Sequence, residues 1–180
     1  RDLLMQIQNS MDILREEDWN DAEKNLYPKK LLFDEPWLRY LTQYPKIWLD
    51  MPNTWDRRRK QNFDDLPKSI DKDNYPQYYL RNFHHQTDGY LSDFSASIYD
   101  LQVEILFNGS ADSMRRRIIK PIKEGLEIFS DRKKNSIKIL DVATGSGRTL
   151  KQLRAAFPKE KITGIDLSDS YLKEASRYIS

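Results

Sequence analysis

Ile137-Lys-Ile-Leu-Asp-Val-Ala-Thr-Gly-Ser-Gly147 is the stretch on which the fold turns. Ile137 to Val142 is a short β-rich run, and Thr144 to Gly147 is a turn. Arg148 to Phe157 then reads as a helix with Leu150 and Leu153 facing inward, ended by Pro158. Lys161-Ile-Thr-Gly-Ile-Asp166 is a second strand. Ser168 or Asp169 caps a last helix with Leu172, Ala175 and Ile179 on one face. Strand, helix, strand, helix in that order opens a doubly wound parallel sheet, an α/β fold.

The residues that carry chemistry in this unit are Asp141, Gly145, Gly147 and Asp166. A strand ends in an acid, a glycine-rich turn comes next, and a second strand ends in another acid. In a Rossmann-like sheet the turn and both strand tips meet at the carboxyl edge. Glycine suits a backbone that must turn tightly and approach a ligand closely. An acid at the second tip is placed to accept hydrogen bonds from two ribose hydroxyls, so a nucleoside is implied. The dinucleotide pattern G-x-G-x-x-G has Leu150 at its third glycine, which fits a pyrophosphate site poorly. Asp141 would repel a pyrophosphate but suits a ligand bearing an ammonium and a sulfonium. S-adenosylmethionine has those groups and no phosphate. A different nucleotide-binding sheet, or a purely structural β-α-β unit with an ordinary turn, remains open on these residues alone.

Ile139-Leu-Asp-Val-Ala-Thr-Gly-Ser-Gly147 resembles the first motif of class I S-adenosylmethionine-dependent methyltransferases, and Ile162-Thr-Gly-Ile-Asp-Leu-Ser168 resembles their second strand. Ala143 stands where that family usually has glycine. The resemblance covers residues 137–180. It implies that Asp141, Ala143, Gly145 and Gly147 line the methionine side of the cofactor, with Thr144 and Ser146 also among its contacts, that Asp166 holds the ribose, and that Leu167 and Ser168 lie beside the adenine. Phe83-His-His-Gln-Thr-Asp-Gly-Tyr-Leu-Ser92, with Tyr99-Asp100 and Met114-Arg-Arg-Arg117, looks more loosely like the segment before the sheet in an uncharacterised group of the same class. The family's sheet has about seven strands, whereas two are readable here. The expectation is therefore a piece of a longer enzyme that binds cofactor weakly or not at all by itself.

Outward from that unit, the chain divides by composition. All six glycines lie at or after Gly89, six of the eight prolines at or before Pro76, and the four tryptophans within the first 55 residues. Residues 1–76 read as an aromatic- and proline-rich region, 77–136 as a helical lid or linker, and 137–180 as the start of the cofactor-binding domain. Leu4, Ile7, Met11 and Leu14 share one helical face. Pro28, Pro36, Pro45, Pro52 and Pro67 are expected to break the remainder of the first region into short helices and turns. Ile98, Leu101, Ile105 and Leu106 form a stripe stopped by Asn108-Gly109. Asp112 is expected to cap a helix carrying Met114 and Ile118, which Pro121 breaks or kinks.

Thirty Lys and Arg against 28 Asp and Glu leave a net charge of +2, which makes no case for a dedicated nucleic-acid binder. Arg57-Arg58-Arg59-Lys60 is followed by Asp64 and Asp65 and reads as a solvated face. Mean hydropathy is −0.80, but an aromatic content of 12% argues against general disorder. No apolar run is long enough for a membrane span. Without cysteine there is no disulfide, thiolate metal site or cysteine nucleophile, and a cytoplasmic location is the expectation. The start Arg-Asp-Leu-Leu has no initiator Met and no secretory pattern.

The acceptor side is less legible. Candidate bases are His84, His85 and Asp88, with a structural role for the histidines as the plainer reading. Two adjacent histidines with no further His or Cys do not make a metal site. Tyr90, Tyr99 and Asp100 are lid candidates, and Tyr99 is counted with the cofactor contacts. The methyl acceptor is expected to be a small molecule rather than a macromolecule; a metabolite, a lipid or quinone, and a protein are all open. Two alternatives stand beside the enzyme reading. One is a non-catalytic module that holds a partner with an exposed Trp37, Trp48 and Trp55 patch. The other, an NAD-type oxidoreductase, is disfavoured by Leu150 and Asp141.

Overall fold

The computed structural model describes residues 2–82, 86–128 and 137–178. In chain order the elements are α1 (Asp2–Glu23), α2 (Trp37–Lys60), α3 (Asp93–Leu106), α4 (Ala111–Arg116), α5 (Ile119–Ile128), β1 (Lys138–Val142), α6 (Arg148–Ala156), β2 (Lys161–Ile165) and α7 (Asp169–Ser176). Short 3-10 turns occupy Lys29–Phe33, Lys72–Asn74 and Gln77–Tyr79. Among the described residues β1 and β2 pair as a two-stranded parallel sheet, so the α/β class expected from the sequence holds. Strands, turn and helices from 138 onward fall within a residue or two of where their patterning puts them. In β1, half-buried Ile139 and Asp141 alternate with exposed Lys138, Leu140 and Val142, the period of two that a pleated strand imposes.

The chain forms two compact units, each assembled from separated stretches. The first comprises residues 1–35, 104–141 and 149–163. Its core gathers Ala22, Tyr27 and Leu31 with Ile119, Leu153, Ala156 and Phe157, all buried. Alongside that core, α1 meets α4 through a buried ion pair. Arg116 Nε donates to Asp18 Oδ1 at 2.8 Å and Arg116 Nη2 to Asp18 Oδ2 at 2.6 Å. The Tyr27 hydroxyl donates to Asp18 Oδ1 at 2.6 Å, Ser113 Oγ to Oδ2 at 2.9 Å, and Arg116 Nη1 to the Leu31 carbonyl at 2.8 Å. Both charges are thereby hydrogen-bonded as well as paired, the condition under which a buried ion pair is tolerated. Burial and the neighbouring Asp18 raise the Tyr27 phenol well above its ordinary range.

The second unit comprises residues 36–103, 142–148 and 164–180. Here α2 turns a polar face inward. Tyr40, Gln43, Asp50 and Thr54 are its buried residues. Gln43 donates to the Ser97 carbonyl of α3, Arg39 pairs with Glu174 of α7, and Asp50 accepts from Thr87, which also accepts from Arg57 at 2.7 Å.

Three local expectations are corrected. Pro45 and Pro52 do not break the chain into short pieces; α2 runs through both as one helix of 24 residues. The two prolines lie seven residues apart, hence on one face, and that face is exposed. Only outward carbonyls lose their hydrogen bonds there, and water can replace them, while the inward polar contacts hold the helix in place. Asp112 is not the cap of α4; Ser110 holds that position, and Asp112 lies inside the first turn, paired with Arg115 at 2.6 Å. The break between α4 and α5 comes at Arg117-Ile118, ahead of Pro121. Pro121 is the third residue of α5, in a first turn whose N–H groups have no intrahelical acceptor anyway.

Candidate functional site

The turn after β1 is built from left-handed backbone. Ala143, Gly145 and Gly147 have φ of +62°, +56° and +83°. Such angles place a side chain against its own carbonyl, so glycine is favoured and alanine is strained. At Gly147 space is short as well: a Cβ would lie 2.7 Å from the Cβ of Ala175 in α7. Gly147 therefore lets the turn press on α7. Gly145 has a different neighbourhood, since a Cβ there would meet nothing nearer than Tyr171 Cδ1 at 4.0 Å. It faces a hollow.

Asp166, just past β2, ties the turn down. Gly145 N–H donates to Asp166 Oδ2 at 2.8 Å, and Ser168 N–H donates to Oδ1 at 2.9 Å. The Thr144 N–H donates to the Ile165 carbonyl at 3.0 Å, holding the turn to the tip of β2. Ser168 caps α7 by accepting from the Tyr171 N–H. Ser146, buried in the turn, donates to Asp100 Oδ1 at 2.5 Å. Asp100 thus positions the turn from α3 and is not among the residues lining the hollow.

That hollow has a volume of about 530 Å³. Its floor is Val142, Ala143 and Gly145 from the turn, with Ile165, Asp166 and Leu167 from the second strand tip. Its walls are Tyr78, Tyr79, Tyr90, Tyr99 and Tyr171. All of these belong to the second unit. Tyr90, Tyr99 and Tyr171 meet edge to face, with centroids 5.5 to 6.0 Å apart. The Tyr79 hydroxyl donates to Asp166 Oδ1 at 3.4 Å, a long contact. Tyr171, buried in this cluster, shares a hydrogen bond of 3.1 Å with Ser95 Oγ, which itself donates to the Gly89 carbonyl at 2.7 Å. Burial pushes the Tyr90 phenol up to about 12, with nearby Tyr99 adding to the shift. Burial and then the Asp166 carboxylate push Tyr79 further in the same direction. At neutral pH Tyr79 and Tyr90 are therefore uncharged hydrogen-bond donors.

Among the described residues Asp166 is the one ionisable carboxylate in the lining, and no lysine or arginine lines it. An anionic phosphate would find no cationic side chain there, and the Gly145 N–H that could have bound one is spent on Asp166. A cationic nucleoside fits that donor and acceptor set.

Of the residues expected at a cofactor site, Ala143, Gly145, Asp166, Leu167 and Tyr99 line the hollow. Thr144, Ser146, Gly147 and Ser168 shape the turn and the α7 cap behind it. Asp141 is half-buried in β1, at the end of a stretch assigned to the first unit. Asp88 lies in a turn with a φ of +65°. His84 and His85 lie outside the described residues. Tyr78, Tyr79 and Tyr171 are lining residues that the sequence reading passed over. Only the density of tyrosine around Pro76 hinted at the first two. Among the described residues no three His, Cys, Asp or Glu are grouped so as to hold a metal ion, and no helix is long and apolar enough to cross a membrane.

Comparison with known proteins bears on the same stretch. Residues 139–180 match the family model described as a methyltransferase domain. A demethylmenaquinone methyltransferase from Thermotoga maritima is 36% identical over 87 residues, which is 48% of this chain and 34% of that protein. The chain thus spans about a third of the length of this relative. No solved structure matches. The two matches bear out the resemblance to class I S-adenosylmethionine-dependent methyltransferases carried by the two motifs.

Proposed function

We propose that this chain carries the cofactor-binding part of an S-adenosylmethionine-dependent methyltransferase, within a longer enzyme whose doubly wound sheet has further strands. The observation that carries this reading is Asp166. It is held by the Gly145 and Ser168 N–H groups in the floor of a tyrosine-walled hollow with no lysine or arginine in its lining. Each carboxylate oxygen can accept more than one hydrogen bond, so the outward lone pairs of Asp166 remain suited to the two ribose hydroxyls. The long Tyr79 contact is the one a diol would replace. Ala143 and Gly145 would hold the methionine portion, Leu167 would lie against the adenine, and Tyr99 with its neighbours would wall the site. When bound, the cofactor supplies a methyl group already activated on a sulfonium. The chain's own task is to orient it toward the acceptor and to exclude water, which five tyrosine side chains serve by their bulk.

The acceptor is proposed to be a small molecule. The name of the Thermotoga relative points to a quinone-type acceptor as the first to try. The test is ultraviolet crosslinking of labelled S-adenosylmethionine to the longest available protein that contains this chain. Label is expected within residues 142–171, reduced at least about tenfold by Asp166→Ala, which removes charge-assisted hydrogen bonds. Gly145→Val should remove it by filling the hollow. Absence of any label on the unaltered protein rejects the reading.

A partner-binding role for the aromatic region stays alongside as a second reading. Trp37, Trp48 and Trp55 are each more than half exposed, as that reading requires.

A further inference from the structure

Helix α2 is amphipathic in the reverse sense: its polar face is buried and its apolar face is open. Trp37, Leu41, Tyr44, Trp48 and Trp55 lie along one stripe, each between 48% and 71% exposed. Leu38 and Leu49 widen it and are also exposed. Four large rings and three leucines exposed in one strip form the kind of contiguous apolar face that marks an interaction site. Such a face needs an occupant, and three observations select one.

The first is composition. Tryptophan and tyrosine, with an apolar body and a polar edge, concentrate where hydrocarbon meets water. The second is the backbone. Pro45 and Pro52 carry no N–H, so the carbonyls of Leu41 and Trp48 receive no bond from the residue four positions on. In a dry seam against another helix those carbonyls would be costly, whereas a hydrated headgroup layer satisfies them. The third is charge. Lys46, Arg58, Arg59 and Lys60 are exposed beside the stripe. Asp56, paired with Arg59 at 3.0 Å and Lys60 at 2.6 Å, is the acid of α2 beside them, which leaves this set on the helix a surplus of three positive charges ahead of exposed Asp64 and Asp65. Apolar stripe and basic rim together describe a helix that lies in the plane of an anionic membrane surface.

We propose that α2 docks this protein on anionic lipid bilayers, with the tryptophan stripe in the interface and the basic end against lipid phosphates. The readout is lipid binding, so the proposal stands or falls separately from methyl transfer. The 180-residue chain is floated with vesicles of phosphatidylcholine alone and with vesicles also containing phosphatidylglycerol. Affinity for the anionic vesicles should be at least about tenfold higher and should fall with added salt. Tryptophan emission should shift to the blue and be quenched by brominated lipid. Trp48→Glu with Leu41→Glu should weaken binding at least about tenfold while circular dichroism keeps the helix signal, since both side chains are exposed. Arg58→Glu with Arg59→Glu should erase the preference for anionic lipid. Failure to float, or flotation unchanged in both variants, overturns the proposal. So does a stable dimer by light scattering that Trp48→Glu dissociates, because the spacing of four and three residues along the stripe also suits a second copy. A longer protein that ignores the vesicles while the chain alone binds them would mean its own polypeptide covers the stripe, and would overturn the proposal as well.

Discussion

In the first unit the residues sealed from water are Ala22, Leu31, Ile119, Leu153 and Phe157, and the buried charges of Asp18 and Arg116 satisfy each other. In the second, the inward face of α2 is Tyr40, Gln43, Asp50 and Thr54, Ser95 and Asp100 are buried beside Ile98 and Leu101 on α3, and five tyrosines line a hollow. One unit excludes water and is stabilised by apolar burial. The other buries Leu91, Ile98 and Leu101 as well, but adds directional hydrogen bonds around a space. Apolar packing tolerates no void without cost, so a ligand site is more readily held open by polar scaffolding whose bonds fix positions at a distance. The hollow belongs to the second unit alone.

Three substitutions probe that division. Asp18→Ala in the first unit should cost the most, about 3–5 kcal/mol, because Arg116 would keep a buried, unpaired charge. Denaturant unfolding followed by circular dichroism measures it. A loss under about 1 kcal/mol would mean that the pair is not buried in solution. Next comes Gly147→Ala in the second unit, at about 3 kcal/mol from the close approach to Ala175 and the left-handed backbone. Hydrogen exchange should show the damage concentrated in 142–148 and 164–178 and little changed in α1. Uniform damage would break the contrast, since it would make the units one cooperative block. The smallest effect is expected of Ala143→Gly. Relief of the strained φ is offset in part by the freedom glycine gains when unfolded, leaving a stabilisation of at most about 1 kcal/mol. A destabilisation instead would show that the Ala143 methyl packs against something that matters.

Much of the sheet edge was legible. Ile137 to Val142, the turn and Asp166 were readable because strand alternation, glycine at left-handed positions and an acid at a strand tip are local rules, each acting within a few residues. The prolines of α2 misled for the same reason. Pro45 and Pro52 lower helix propensity locally, but the cost is met by contacts from Gln43 and Asp50 to residues far along the chain. Asp100 was read as part of a lid, whereas it steadies Ser146 from behind the turn. That bond spans 46 positions, beyond any local pattern.

The amino-acid order by itself determined the strand-turn-helix unit, the acid beyond β2 and the need for glycine at 147, because backbone sterics and side-chain periodicity act at short range. Only the tertiary structure decided that tyrosines 79, 90, 99 and 171 would line one hollow with Asp166, and that α2 would bury Gln43 and Asp50 and leave its tryptophans outside. Those outcomes depend on which distant hydrogen-bond partners each helix finds. A helical wheel shows that a helix has two faces, and only the neighbours choose which one is hidden.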